Sequence, residues 1–415
     1  MDACPTPPPR PLSGTLDLGG VIRERPEDFL VEEIPLYEPE GAGEHLMLFV
    51  EKRLLTTEEA ASRLARALDV PEREVGFGGL KDRRAVTRQW FSVEGVPPER
   101  ARGLVLDGLR VLAAERHGNK LKRGHLAANR FRIRIRRCRP DRIESAPDLL
   151  QRLAAEGLPN GFGPQRFGTR RDNHLLGAAL VRDDPQAFLE ILCTPRPEVE
   201  QERIMQGREA LGAGDFKAAL RLFPRRMALE WHLARALMAR PEDLHHAVRT
   251  IPSRVRSLLV SAWQSEIFNR VLQARLGTLT TLLPGDVAVK LSNGACFLVE
   301  DPAAEAERVE RREILPTGPL PGEKMLRAAG EAAALEDPVL LAAGHEPGWV
   351  SSLLPRKAFR GARRPLAIHV SSPRAEVEDP GTLVLEFTLP RGAFATALLA
   401  AFGVLEAPPP GVTGR

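Results

Sequence analysis

The heptapeptide at 130–136, RFRIRIR, constrains this chain more than any other short stretch. Arg130, Arg132, Arg134 and Arg136 fall on one side of a period of two, and Phe131, Ile133 and Ile135 on the other. The pattern predicts a strand with an apolar back and a cationic front. It ends a basic segment, residues 116–139, that holds ten Lys and Arg, two His and no acid. The whole chain carries 55 acids and a net charge of only +4, so its basicity is local. Local basicity points to a defined anionic partner. Arginine forks match phosphate oxygens, which makes nucleic acid the favoured ligand. The bland alternative is a solvated strand face, but such faces usually mix both signs.

A second segment carries candidate chemistry. Residues 77–93 read FGGLKDRRAVTRQWFSV, and Asp82 is the only acid between Glu74 and Glu94. Lys81, Arg83, Arg84 and Arg88 surround it in sequence. Gly78 and Gly79 allow a turn that a Cβ would forbid. From Ala85 onward the residues alternate as in a half-buried strand. A carboxylate among cations is expected to stay ionised at neutral pH, which suits a nucleophile better than a proton donor. A surface loop with an ion pair is the alternative.

The chain's 415 residues favour two domains, and 43% hydrophobic content supports sizeable cores. Cys4, Cys138, Cys193 and Cys296 are far apart. Their spacing predicts reduced thiols in a cytoplasmic setting and no metal site. Residues 1–13 read as a disordered tail. The longest apolar run, 393–405, is too short for a bilayer span, so no membrane association is expected. The phosphate-cradling glycine loops are absent, so no nucleotide cofactor is expected. Strand patterns occupy 20–22, 29–34 and 45–50, and Thr56 or Thr57 can cap a helix ending at Leu68. Residues 174–275 have helical periodicity. A hairpin is predicted over 287–299, turning at Asn293-Gly294. Residues 301–365 are mixed, and strands return at 366–370 and 383–387. Terminal strands around a helical middle suggest one domain inserted into another.

Several blocks in order resemble the TruD-type tRNA pseudouridine synthases: PEDFLVEE (26–33), GAGEHLMLFVEK (41–52), GGLKDRRAVTRQWFS (78–92), KLKRGHLAANRFRIRIR (120–136), NGFGPQRFG (160–168), SAWQSEIFN (261–269) and LPRGAFAT (389–396). The resemblance implies an α/β (α+β) fold. A pseudouridine-synthase-like, antiparallel mixed-sheet catalytic domain, 14–158 and 366–415, would be interrupted by a family-specific, largely helical α/β insert, 159–365. It implies isomerisation of a uridine in tRNA, at position 13 of the D-arm, with no cofactor. No protein partner is specified.

By position in these motifs, Asp82 corresponds to the catalytic nucleophile. Arg23 stands where the family usually has a basic residue, often Lys, and would pair with Asp82 through both arms of its fork. Phe29, Asn129, Phe131 and Phe394 match substrate-contacting positions. Lys120, Lys122, Arg123, Arg132, Arg134 and Arg166 are candidate RNA contacts. Two departures stand out: Ala128 precedes Asn129 where Gly is usual, and Gly161 replaces an aromatic, which would loosen one wall of the RNA site. A non-catalytic RNA-binding or chaperone scaffold and a nucleoside glycosidase-type hydrolase are the competing readings. The hydrolase would need a second carboxylate.

Overall fold

A computed structural model describes residues 4–344, 351–354 and 359–407. It separates into two compact units, residues 10–158 with 368–415, and residues 1–9 with 159–367. No helix among the described residues is long and apolar enough to cross a membrane.

The first unit is built on a nine-stranded mixed sheet. In chain order its main elements are β1 (Phe29–Pro35), β2 (His45–Arg53), α1 (Thr57–Leu68), β3 (Val86–Glu94), β4 (Leu109–His117), β5 (Leu126–Ile135) and α2 (Ala146–Glu156). Its sheet order is completed by two strands near the C-terminus, Ser371–Asp379 and Thr382–Pro390. The order runs Ser371–Asp379, Thr382–Pro390, β5, β1, β3, β2, β4, with a two-residue strand (Val105–Leu106) at the far edge and another (Gly76–Phe77) beside β3. All the pairs are antiparallel except β1 with β3.

One face of this sheet is packed. Phe29 and Val31 of β1 and Phe131, Ile133 and Ile135 of β5 join Leu385 and Phe387 against Leu149, Leu150 and Leu153 of α2. Toward the other edge, Leu46, Leu48 and Val50 of β2 pack with Phe91 and Val93 on Ala60, Ala61, Leu64 and Leu68 of α1. Thr56 starts α1 where the sequence places it, in a reciprocal capping box with Glu59.

The opposite face corrects the expectation of a cationic front. β5 is a strand with the expected alternation, but the arginines of this row face carboxylates on other strands and, for Arg136, on the turn that precedes β1. Arg130 pairs with Glu32 at 3.2 Å, Arg132 with Glu386 at 2.9 Å, Arg134 with Glu378 at 2.7 Å, and Arg136 with Asp28 at 2.7 Å. Arg88 extends the row, bonding Glu51 at 2.9 Å and Glu32 at 3.3 Å. This is a cross-strand ladder of alternating sign. Burial alone would raise the Asp28 carboxyl, but the Arg136 fork, the Arg25 N–H and the nearby Arg134 outweigh it and hold it low.

The second unit is mainly helical, as residues 174–275 predict. Its central helix, α3 (Ser253–Ala274), buries Leu259, Val260, Trp263, Ile267 and Phe268. The Asn293-Gly294 hairpin forms as expected: strands Val287–Lys290 and Cys296–Leu298 pair antiparallel, with Gly294 at φ 76°. They join Ile314–Leu320 and Ala362–Pro365 in a four-stranded sheet.

Part of the tail expected to be disordered is held in this unit. The Thr6 N–H donates to Glu266 Oε2 at 2.8 Å, the Thr6 hydroxyl to Glu266 Oε1 at 2.8 Å, and Asn269 donates to Thr6 O at 2.9 Å. Pro5 and Pro9 are buried. This contact also accounts for Gly161. A Cβ there would lie 2.5 Å from Pro8 Cβ, so the N-terminal segment occupies space beside the position where an aromatic was expected. The space beside Gly161 is filled by Pro8 and Leu272.

Candidate active site

Asp82 lies in the loop between Gly76–Phe77 and β3, with its side chain 54% exposed. The loop approaches the chain at His125 closely: a Cβ on Gly78 would sit 2.8 Å from His125 O. Gly124 N–H closes this contact by donating to Gly78 O at 2.8 Å. Glycine is needed here for close approach, not for a left-handed φ.

The loop is tied to the sheet and α1 at Gly79, Lys81 and Asp82. Gln89 donates to Gly79 O at 3.3 Å, and the Lys81 N–H donates to the Thr57 hydroxyl at 2.9 Å. Thr57 in turn donates to Gln89 Oε1 at 2.9 Å. Lys52 Nζ donates to Asp82 O at 3.0 Å and to Leu55 O at 2.6 Å. The Lys81 ammonium turns inward to Glu33 Oε2 at 2.5 Å, where both side chains are almost fully buried. Each such bond contributes about 1 kcal/mol net, but stripping one partner from a buried pair costs ~1–3 kcal/mol or more. The Asp82 backbone is therefore fixed from below while its carboxylate stays open.

Arg23 reaches Asp82 Oδ2 with Nη2 at 2.8 Å. The contact uses one donor and not the expected two-armed fork. The guanidinium carbon lies 4.1 Å from the centre of the Phe29 ring, and Nη1 lies 3.7 Å from Glu406. Stacking on Phe29 fixes the plane of the fork, so only one arm meets the carboxylate. Arg23 itself sits at φ 59°, a left-handed conformation uncommon for a residue with a Cβ.

The cations that crowd Asp82 in sequence do not crowd it in space. Lys81 is buried on Glu33, Arg88 joins the ladder, Arg83 reaches Leu54 O and Glu59, and Arg84 donates to Arg23 O. Sequence reading missed Lys52, Glu33, Thr57 and Gln89. The signal was present for two of them. Lys52 follows Leu46, Leu48 and Val50 on the buried register of β2, and Glu33 follows Phe29 and Val31 on that of β1. A charge at a buried register of an apolar strand face calls for a partner. Burial pushes the Lys52 ammonium down to about 8, with the Asp82 charge opposing that fall. Burial likewise raises the Glu33 carboxyl against the pull of Lys81.

The expected substrate residues divide into two groups. Phe29 and Phe131 are core side chains, edge to face at 6.3 Å, and Phe131 stacks on Phe387 at 5.3 Å. Asn129 pairs in register with Glu33 on one side and Leu389 on the other. It is 9% exposed, and its Oδ1 has no hydrogen-bond partner among the described residues. Phe394 is 74% exposed, which excludes a core role. It lies four residues beyond Pro390, the partner of Ala128.

The expected RNA contacts are also mixed. Arg132 and Arg134 belong to the ion-pair ladder, each paired with a glutamate, so neither is a free cation on this face. Lys120 bonds Glu74 at 3.1 Å and Arg73 O at 2.9 Å. Arg123 lies 4.5 Å over the Phe77 ring and 3.5 Å from Glu58. Lys122 lines a polar hollow of about 350 Å³ with Tyr37, His45 and His125. Arg166, in the other unit, donates to the Ser261 hydroxyl at 3.3 Å.

Comparison with known proteins identifies the family. The family model for tRNA pseudouridine synthase D (TruD) matches residues 12–402. The tRNA pseudouridine synthase D of Geobacter metallireducens is 47% identical over 388 residues, covering 93% of this chain and 95% of its own length. That of Thermus thermophilus is 39% identical, covering 94% and 90%. A crystal structure from Methanosarcina mazei that carries the TruD name superposes with a TM-score of 0.83 at 29% identity, covering 96% of both chains. A match of this extent, in sequence and in fold, places the chain in the tRNA pseudouridine synthase D (TruD) family.

Proposed function

We propose that this chain isomerises uridine 13 of tRNA to pseudouridine, with Asp82 as the nucleophile. The observation that carries the assignment is an exposed carboxylate on a rigidly tethered loop, oriented by a single charged donor from Arg23. The reaction breaks the bond from C1′ to N1, turns the uracil, and joins C5 to C1′, with C5 losing its proton and N1 gaining one. Atoms are conserved, so a positioned nucleophile is the main requirement. Attack of Asp82 at C1′ and attack at C6 both need its carboxylate fixed and unprotonated.

The target base has to leave its stack to reach such a loop. The unpaired Asn129 Oδ1 is an acceptor awaiting a donor, and the uracil imide N–H supplies one. Phe394 offers an exposed ring on which an extruded base can rest. Phe29 acts through Arg23, and Phe131 supports Phe29 from the core.

The test maps pseudouridines in cellular tRNA, with a pseudouridine-specific reagent, from a strain lacking this chain. The mark at position 13 is expected to vanish and to return with the wild-type gene. Loss at a different position would overturn the site assignment while leaving the enzyme class intact.

A further inference from the structure

The helical unit holds two guanidiniums against one aromatic ring with no carboxylate between them. Arg364 Cζ lies 4.4 Å from the centre of the Phe162 ring, and Arg166 Cζ lies 5.1 Å from the same centre. Arg364 also lies over Phe268, at 5.6 Å. Its Nε donates to Asn160 O at 3.1 Å and its Nη2 to Asn160 Oδ1. Among the described residues neither arginine pairs with an acid.

The rest of the unit makes this unusual. Arg170, Arg208, Arg275 and Arg363 are buried deeply, and each is matched to Asp or Glu at 2.5–3.0 Å. Arg256, less deeply buried, donates to the carbonyls of Ile251 and Leu353. Among the described residues Arg225 and Arg235 also share one ring, Trp231, but both are exposed, whereas Arg166 and Arg364 at Phe162 are partly buried. Burial, and after it the charge on Arg166, lower Arg364 to about 10. Two neighbouring cations in a partly dry setting cost free energy unless an anion joins them.

The surroundings are built and not incidental. Asn269 clamps Phe162 through both its backbone groups, accepting from N–H at 2.8 Å and donating to O at 3.0 Å. Beside Phe162, a Cβ on Gly163 would meet nothing within 4 Å, so the loop has an open side.

We propose that Arg166 and Arg364 form a phosphate-binding site for the backbone of the RNA substrate, with Phe162 as the shelf that spaces the two guanidiniums. The site rests on the assignment of tRNA as substrate. It takes a phosphodiester: a singly charged group with two free oxygens, one for each guanidinium.

The test measures tRNA affinity against salt for full-length wild type, Arg166→Ala and Arg364→Met, with melting temperature and uridine isomerisation followed in parallel. Each variant is expected to bind about tenfold more weakly at low salt and to flatten the slope of log affinity against log salt by roughly one unit. Unliganded Arg166→Ala is expected to melt no lower than wild type, because it has lost a like-charged neighbour. An unchanged slope in Arg166→Ala with normal isomerisation overturns the site and leaves the enzyme assignment standing. Should Arg364→Met fail to fold, Arg166→Ala decides alone. If inorganic phosphate stabilises wild type but not Arg166→Ala while the RNA slope is unchanged, the site holds free anions and the assignment to RNA is wrong. If wild type isomerises no tRNA uridine, the functional reading fails, and the salt slope still reports on the site separately.

Discussion

At the scale of residues, the proposed site separates an exposed carboxylate from its buried supports. Asp82 and Phe394 are open, while Lys52, Glu33 and Thr57 are enclosed beneath the loop. Phe394→Ala is therefore expected to leave the melting temperature nearly unchanged and to lower turnover about tenfold, the order expected for one base-stacking contact. Phe394→Tyr should keep most activity, and a Phe394→Ala protein with full turnover would remove the ring from the site. Lys52 gives a pH signature. Its folded value of about 8 lies below the ordinary 10.5. Between these values the unfolded chain binds more protons, so this group makes stability rise with pH across that window and is a cost at neutral pH. Lys52→Met should abolish that rise, read as the denaturant midpoint against pH. A rise of undiminished size in the variant would show that another group titrates there.

At the scale of elements, β5 shows what alternation can and cannot reveal. Its period of two gives the strand, the buried Phe131, Ile133 and Ile135, and the arginine side. It does not give the partners of those arginines, because Glu32, Glu378 and Glu386 arrive on other strands, 98 to 254 residues away in sequence. Absence of acid within a segment is not absence of acid beside it once a sheet has formed. Arg132→Ala is thus expected to leave the salt slope of tRNA binding within a few tenths of a unit of wild type. It should cost about 0.5–1 kcal/mol of stability, as loss of one cross-strand pair does. A slope flattened by a full unit would restore Arg132 as a phosphate contact. The Asp82 loop was legible because its motif is contiguous and its glycines and acid are adjacent. Its tethers were not, since Lys52, Thr57 and Gln89 come from three different elements and meet only through pairing register.

At the scale of the molecule, two interleaved units account for the alternation of strand-rich and helix-rich stretches along the chain. The strands Leu109–His117 and Ser371–Asp379 escaped sequence reading for a physical reason. The first interrupts its apolar residues with Ala and Glu, and the second is a largely exposed edge strand. The N-terminal segment escaped it too, because its proline content signals a loose tail, whereas Thr6 is fixed by Glu266 and Asn269 from far along the chain. None of these misreadings touches the central claim, that Asp82 on its tethered loop is the nucleophile of a tRNA pseudouridine synthase. The most direct measurement incubates purified wild type and Asp82→Asn with an unmodified tRNA transcript and quantifies both pseudouridine and tRNA affinity. Wild type should form pseudouridine, and Asp82→Asn should form none while binding tRNA within a few-fold of wild type. An Asp82→Asn protein that isomerises uridine at the wild-type rate would contradict the account.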